Sequence, residues 1–215
     1  MKKLILGLLL LAVLAGCSTE GKIKVINRTK NELYFTIKGD DYTLDGATED
    51  MINDDKGTSK TVSFDTGRKF LMFAPDETEV NIYLEGETFI MAGGDSVTTV
   101  EVEPNETYRV YADPTHAGMK LINNSELDIT ELKSTQIYDP EDDDENLVRI
   151  LSTSIPAGTE FFKQLDPVPE DANSDQRFFY QFKVTFQDSS FQMYGYYNNP
   201  DTFLKLDDFY EITID

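Results

Sequence analysis

Cys17 is the one thiol in the 215-residue chain, and it directly follows Leu14-Ala15-Gly16. A sole thiol has no internal partner for a disulfide, so its chemistry is that of a free nucleophile. His116 is likewise the one imidazole, and it stands in Asp113-Pro114-Thr115-His116-Ala117-Gly118. That stretch reads as a linker, where a general base would lack the fixed geometry that proton transfer needs. Histidine and cysteine are too few for a zinc set, and no G-x-S-x-G elbow offers a serine nucleophile. Carboxylates are plentiful, with 40 Asp+Glu against 19 Lys+Arg. Two carboxyls about 5 to 9 Å apart can hydrolyse a glycosidic bond. The sequence singles out no such pair, and it lacks the tryptophan that commonly supplies a sugar platform.

Calcium needs hard oxygens, about six to eight of them. The densest source is Asp139-Pro140-Glu141-Asp142-Asp143-Asp144-Glu145-Asn146, with Asp139, Asp142 and Asp144 as candidate ligands. It lacks the central glycine and closing glutamate of an EF-hand. A second stretch, Asp40-Asp41-Tyr42-Thr43-Leu44-Asp45-Gly46, starts with EF-like spacing at Asp41 but has Ile52 where the bidentate glutamate belongs. The plain alternative for both is a solvated acidic loop that discourages edge pairing. Asn27-Arg28-Thr29, Asn105-Glu106-Thr107 and Asn123-Asn124-Ser125 match the glycosylation sequon. They equally match turns in which Asn and Ser/Thr side chains bond the local backbone. Tyr194-Gly195-Tyr196-Tyr197-Asn198-Asn199-Pro200 is an aromatic cluster suited to a glycan or protein contact, or to packing.

The first residues form a separate unit. Lys2 and Lys3 precede an apolar run over 4–13, broken only by Gly7, and small residues follow. A bilayer span needs about 20 apolar residues, so this is the layout of a secretory signal. Leu14-Ala15-Gly16-Cys17 resembles the lipobox of bacterial prolipoproteins. The resemblance implies that the Cys17 thiol takes a diacylglyceryl group, that the chain is cut before Cys17, and that the new N-terminus is often acylated. It implies a lipid-anchored protein of the cell envelope. Ser18 stands where an inner-membrane retention signal would have Asp, which favours the outer membrane if the organism is diderm. Residues 1–16 are then the signal peptide and 17–21 a short tether.

Loss of Lys2 and Lys3 with the signal leaves 17 Lys+Arg against 40 Asp+Glu, a net charge of −23. Such a charge repels nucleic acid and disfavours general electrostatic adhesion to anionic lipid. It favours solubility.

The mature region repeats. Ile23-Lys24-Val25-Ile26-Asn27-Arg28-Thr29 parallels Met119-Lys120-Leu121-Ile122-Asn123-Asn124-Ser125. The ends correspond as well: Tyr108-Arg109-Val110-Tyr111-Ala112-Asp113 parallels Tyr210-Glu211-Ile212-Thr213-Ile214-Asp215. Short β-branched and aromatic runs, separated by Gly, Asp, Asn and Pro, predict strands throughout. They include 22–27, 32–37, 68–73, 80–84, 88–91, 98–102 and 107–111. In the second half they include 120–122, 128–132, 147–151, 178–186, 191–197, 203–206 and 210–214. Turn residues at 103–106 and 187–190 predict hairpins. The expected fold is all-β: two tandem sandwich-like domains arising from an internal repeat, over 22–113 and 119–215. The second half also loosely resembles β-sandwich repeats of exported bacterial proteins, which implies a fold and no activity. The expected function is a non-catalytic binding or structural role, with a possible envelope protein or glycan as partner and no cofactor. A calcium-dependent adhesion or assembly module and a carbohydrate-active enzyme are the alternatives.

Overall fold

In the computed structural model the described residues are 20–66, 78–91, 96–137, 147–169, 178–195 and 199–215. They form an all-β protein of two compact units. The first comprises the described residues up to Arg28, with Glu32–Glu85 and Met91–Ala112. The second comprises Thr29–Asn31, Gly86–Ile90 and Asp113–Asp215.

The strands of the first half are β1 (Glu20–Asn27), β2 (Leu33–Ile37), β3 (Asp40–Leu44), β4 (Thr58–Asp65), β5 (Glu79–Gly86), β6 (Val97–Glu101) and β7 (Thr107–Ala112). Those of the second are β8 (Ala117–Asn123), β9 (Ile129–Ile137), β10 (Val148–Arg149), β11 (Thr159–Leu165), β12 (Phe179–Phe186), β13 (Phe191–Tyr194) and β14 (Phe209–Ile214). A five-residue helix, α1 (Glu49–Asn53), is capped by the Thr48 side chain.

The first half forms sheets ordered β4-β1-β7 and β3-β2-β5-β6; the second forms β11-β8-β14 and β10-β9-β12-β13. Strand for strand, β8 to β14 take the places of β1 to β7. The register agrees too. Asn27 pairs with Thr58 and Asn123 with Thr159 in the antiparallel ladders. Asn27 pairs with Ala112 and Asn123 with Ile214 in the parallel ones.

Alternation explains which face is inward. β1 buries Ile23 and Val25 and turns Lys22 and Lys24 outward. β2 buries Leu33, Phe35 and Ile37 from the other sheet. In the second unit Met119 and Leu121 of β8 share one apolar cluster with Phe182, Val184 and Phe186 of β12. Each such side chain stabilises by about 1.5 to 3 kcal/mol on burial, so the sandwich cores dominate the favourable energy.

Several expected elements differ. Neither half ends in a hairpin. β6 pairs with β5, while β7 crosses to the other sheet and runs parallel to β1; β14 likewise runs parallel to β8. The turn at Pro104 and Asn105 is present, with Asn105 at φ 63°, but it joins two sheets. Residues 88–91 and 203–206 are irregular, and the strand expected over 68–73 lies outside the described residues. The hairpin at 187–190 does join β12 to β13. Three strands escaped the sequence pattern. β3 is acidic, and β4 and β11 have few buried positions, so alternation is faint in all three.

The repeated Asn-x-Ser/Thr closes the first strand of each half. Asn123 is fully buried. Its Nδ2 donates to the Leu127, Ile155 and Pro156 carbonyls, and its Oδ1 accepts from Ser125. Asn27, also fully buried, donates to Asp45 O at 3.1 Å. Ser125 Oγ bridges the backbone of Leu127 as Thr29 Oγ1 bridges that of Asn31. These two sequons are therefore turn chemistry. Space is tight beside them: a Cβ on Gly57 would lie 2.1 Å from Asn27 O. In urea unfolding, Asn123→Ala is expected to cost about 2 to 4 kcal/mol, because it strands buried carbonyls. Exposed Asn124→Ala should stay within about 0.5 kcal/mol of the parent. Equal losses from the two would show that the buried amide does not hold the turn.

Candidate functional site

The described residues offer one buried carboxylate, one groove with two carboxylates in its lining, and two basic sheet faces. Asp207 is only 6% exposed and adopts φ 69°. Its Oδ1 accepts from Thr88 Oγ1 at 2.7 Å and from Asn31 Nδ2 at 3.2 Å, and its Oδ2 accepts from the Lys30 backbone N–H at 2.8 Å. Its own N–H donates to the His116 carbonyl. All these residues belong to the second unit. Desolvation raises the Asp207 pKa, and the bonds from Thr88, Lys30 and Asn31 offset part of that rise. The carboxylate is thus a tie between segments, with its oxygens engaged by protein donors. Sequence reasoning passed over it because Lys205-Leu206-Asp207-Asp208 reads as an ordinary turn.

His116 is half-buried, and its ring Nδ1 lies 2.9 Å from Thr115 Oγ1. It meets Asp207 through its backbone carbonyl alone among the bonds formed. Among the described residues no triad is assembled around His116.

In the second unit a groove of about 390 Å³ is lined by Asp201, Phe203, Asp208, Phe209 and Tyr210, among others. Asp208 Oδ2 accepts from the Lys205 backbone N–H at 2.8 Å. Asp201 sits in the 3-10 turn Pro200–Thr202, capped by Asn199. The two acids thus shape local turns, and the aromatics give the groove a contact surface.

The outer face of the β10-β9-β12-β13 sheet carries Arg149, Lys133 and Lys183 in one cross-strand row. Lys133 is paired with Glu131 at 3.1 Å, and Lys183 lies 4.5 Å above the exposed ring of Phe191. The outer face of the β4-β1-β7 sheet carries Lys22, Lys24, Arg28 and Arg109.

Cys17 and the candidate calcium ligands Asp139, Asp142 and Asp144 lie outside the described residues. Among the described residues, no group of three or more His, Cys, Asp or Glu is placed to hold a metal. The stretch at Asp40 and Asp41 is β3, which sends successive side chains to opposite faces; Asp41 Oδ1 accepts from Thr36. Tyr194 packs against the core of its own unit, and residues 196–198 of the aromatic cluster lie outside the described set.

Residues 1–18 match the model of the prokaryotic membrane lipoprotein lipid attachment site. The chain therefore carries the signal of a lipid-anchored cell-envelope protein. No curated protein matches its sequence. Among solved structures it is similar to the TIE protein of Bacillus anthracis, at 8% identity and a TM-score of 0.29, covering 92% of this chain and 34% of that one. It thus spans about a third of that protein's length. It is also similar to the tip fimbrial protein Mfa3 of Porphyromonas gingivalis, at 7% identity, TM-score 0.27 and coverage of 82% and 81%. The major pilin of Streptococcus pyogenes gives 8% identity, TM-score 0.22 and coverage of 93% and 100%. No argument about function rests on likenesses at these scores.

Asp207 carries a pH signature. A raised carboxylate pKa means that the folded state holds the proton more tightly than the unfolded state. Its contribution to stability is present below the unfolded pKa and is lost as pH rises through the folded one. Relative to Asp207→Asn, the parent should therefore gain stability on acidification through the carboxylate range. Paired chemical denaturation curves across pH test this. A parent-to-variant difference independent of pH would refute it.

Proposed function

We propose that this chain is a non-catalytic, lipid-anchored envelope protein that displays two tandem β-sandwich units for binding or structural placement. The match of residues 1–18 to the lipid attachment site carries the reading. Cys17 is the residue that takes the lipid. Anchoring through two or more acyl chains on one residue requires no apolar surface on the folded units, since each buried methylene contributes about 0.8 kcal/mol. This suits described residues in which no helix is long and apolar enough to cross a membrane.

The site chemistry supports a role without catalysis. The buried Asp207 carboxylate is occupied by protein donors, and the single imidazole is bonded to its neighbour Thr115. The groove beside Phe203, Phe209 and Tyr210 is where an envelope glycan or protein segment would make contact. The matching strand order and registers support an origin of the two units by duplication. Ser18 after the cysteine favours the outer membrane where the organism has one.

Intact mass and membrane fractionation test the anchor. The mature product should begin at Cys17 and carry two or three acyl chains, by analogy with the dual-signal rule for stable anchoring. Cys17→Ala should move the protein to the soluble fraction. An unlipidated parent, soluble like the variant, would refute the reading.

A further inference from the structure

The outer face of the β4-β1-β7 sheet gathers Lys22, Lys24, Arg28 and Arg109, and unlike Lys133 of the other basic face, which is paired with Glu131, its Lys24 and Arg109 have no ion pair among the described residues. Reading across its strands gives three rows: Ser63–Lys22–Thr107, Thr61–Lys24–Arg109 and Ser59–Ile26–Tyr111. None contains an acid. Lys24 and Arg109 stand directly opposite each other, and neither has an acidic partner among the described residues. Like charges so placed destabilise a sheet. Arg28 adds a fourth cation, 4.8 Å above the half-exposed Tyr111 ring. Acids occur only at the ends: Glu20, 3.7 Å from Lys22 and opposite Asp65, and Asp55, paired with Arg28.

The other half supplies an internal control. By register, Lys24 corresponds to Lys120 and Arg109 to Glu211. Lys120 there bonds Glu160 at 2.7 Å, which with the charge of Glu211 raises its pKa. The same place in the same topology thus carries opposite charges in one unit and like charges in the other. Stability alone favours the first arrangement.

Position says what the second is for. Only Ser18 and Thr19 separate Cys17 from β1. Fully extended, the chain from Cys17 to Lys24 reaches at most about 25 Å. We propose that the outer face of the β4-β1-β7 sheet lies on the anionic phospholipid headgroups of the membrane that holds the chain. The proposal rests on the anchoring reading above. Lys22, Lys24 and Arg109 meet lipid phosphates, and Tyr111 and Ile26 sit at headgroup depth, where an amphipathic ring is favoured. The net charge of −23 left after loss of Lys2 and Lys3 does not forbid this. At physiological salt the screening length is about 8 Å, so cations in contact outweigh distant carboxylates.

The test uses the full chain purified with its lipid. A fluorophore is placed on the face at Thr61→Cys, and on the corresponding sheet of the second unit at Thr213→Cys as a control. Vesicles of phosphatidylcholine carry a headgroup nitroxide quencher, with or without roughly a third phosphatidylglycerol. Quenching at position 61 should be at least about twofold stronger in the anionic vesicles, and should fall to the neutral level near 0.5 M salt. It should also fall in Lys24→Gln/Arg109→Gln, which removes charge without reversing it. Position 213 should not respond to lipid charge. A lipidated chain whose position 61 is indifferent to lipid charge overturns the face and leaves the anchor standing. An unlipidated chain, identified by intact mass, that floats with anionic and not neutral vesicles overturns the anchor and keeps the face. An unlipidated chain that floats with neither overturns both.

Discussion

The parallel pairing of first and last strands is the constraint on which each unit depends. β1 and β8 are central in their sheets, so each needs two partners. One comes from the antiparallel β4 or β11, and the other from the last strand, which arrives parallel. A parallel partner cannot be reached by a tight turn. The chain therefore crosses to the other sheet twice, returning first with the antiparallel β4 or β11 and last with the parallel β7 or β14. Completion of each central ladder waits on residues about 85 to 90 positions away, so the contacts that define the sandwich are non-local and costly in loop closure.

That demand explains why the ends of β1 and β8 are so heavily bonded. At the last residue of each, three segments converge. The N–H of Arg28 reaches Ala112 O, and that of Asn124 reaches Ile214 O. Asn123 adds side-chain bonds to the turn after β8 and to the approach to β11, while Asn27 and Thr58 converge on Asp45 O. A buried amide without partners is costly, whereas a fully bonded one fixes a single arrangement. The asparagine thus selects the register that the apolar faces alone would leave open to slippage.

The same logic separates what was legible in the sequence from what was not. Strands buried on one face announced themselves: β1, β2, β5, β8 and β12 all alternate. Three edge strands did not, because their apolar alternation is faint: β3 is acidic, and β4 and β11 have few buried positions. The repeat was visible in Ile-Asn-x-Ser/Thr because that motif performs a three-dimensional task. The closing hairpins were misread because a turn sequence such as Glu103-Pro104-Asn105-Glu106 reports a reversal and not the sheet that the next strand joins. Asp207 was illegible for a related reason: its partners Lys30, Asn31 and Thr88 are more than a hundred residues away along the chain.

Charge shows the limit of composition most clearly. A total of −21 for the whole chain describes the far field, which repels nucleic acid. It does not describe any one face, because screening makes contact electrostatics local. Strand alternation sorts the few cations: β1 places Lys22 and Lys24 on one side, and register adds Arg109 beside them. Sheet periodicity can therefore gather a basic surface within an acidic protein without altering its composition. In the second half the same register places Glu211 beside Lys120, and the surface is neutralised. Across the paired rows the two faces differ in charge at three equivalent pairs, Lys22 and Gly118, Arg109 and Glu211, and Ser59 and Glu160. All lie on the solvent side of their strands, so a duplicated fold can acquire a new contact surface without any change in its core.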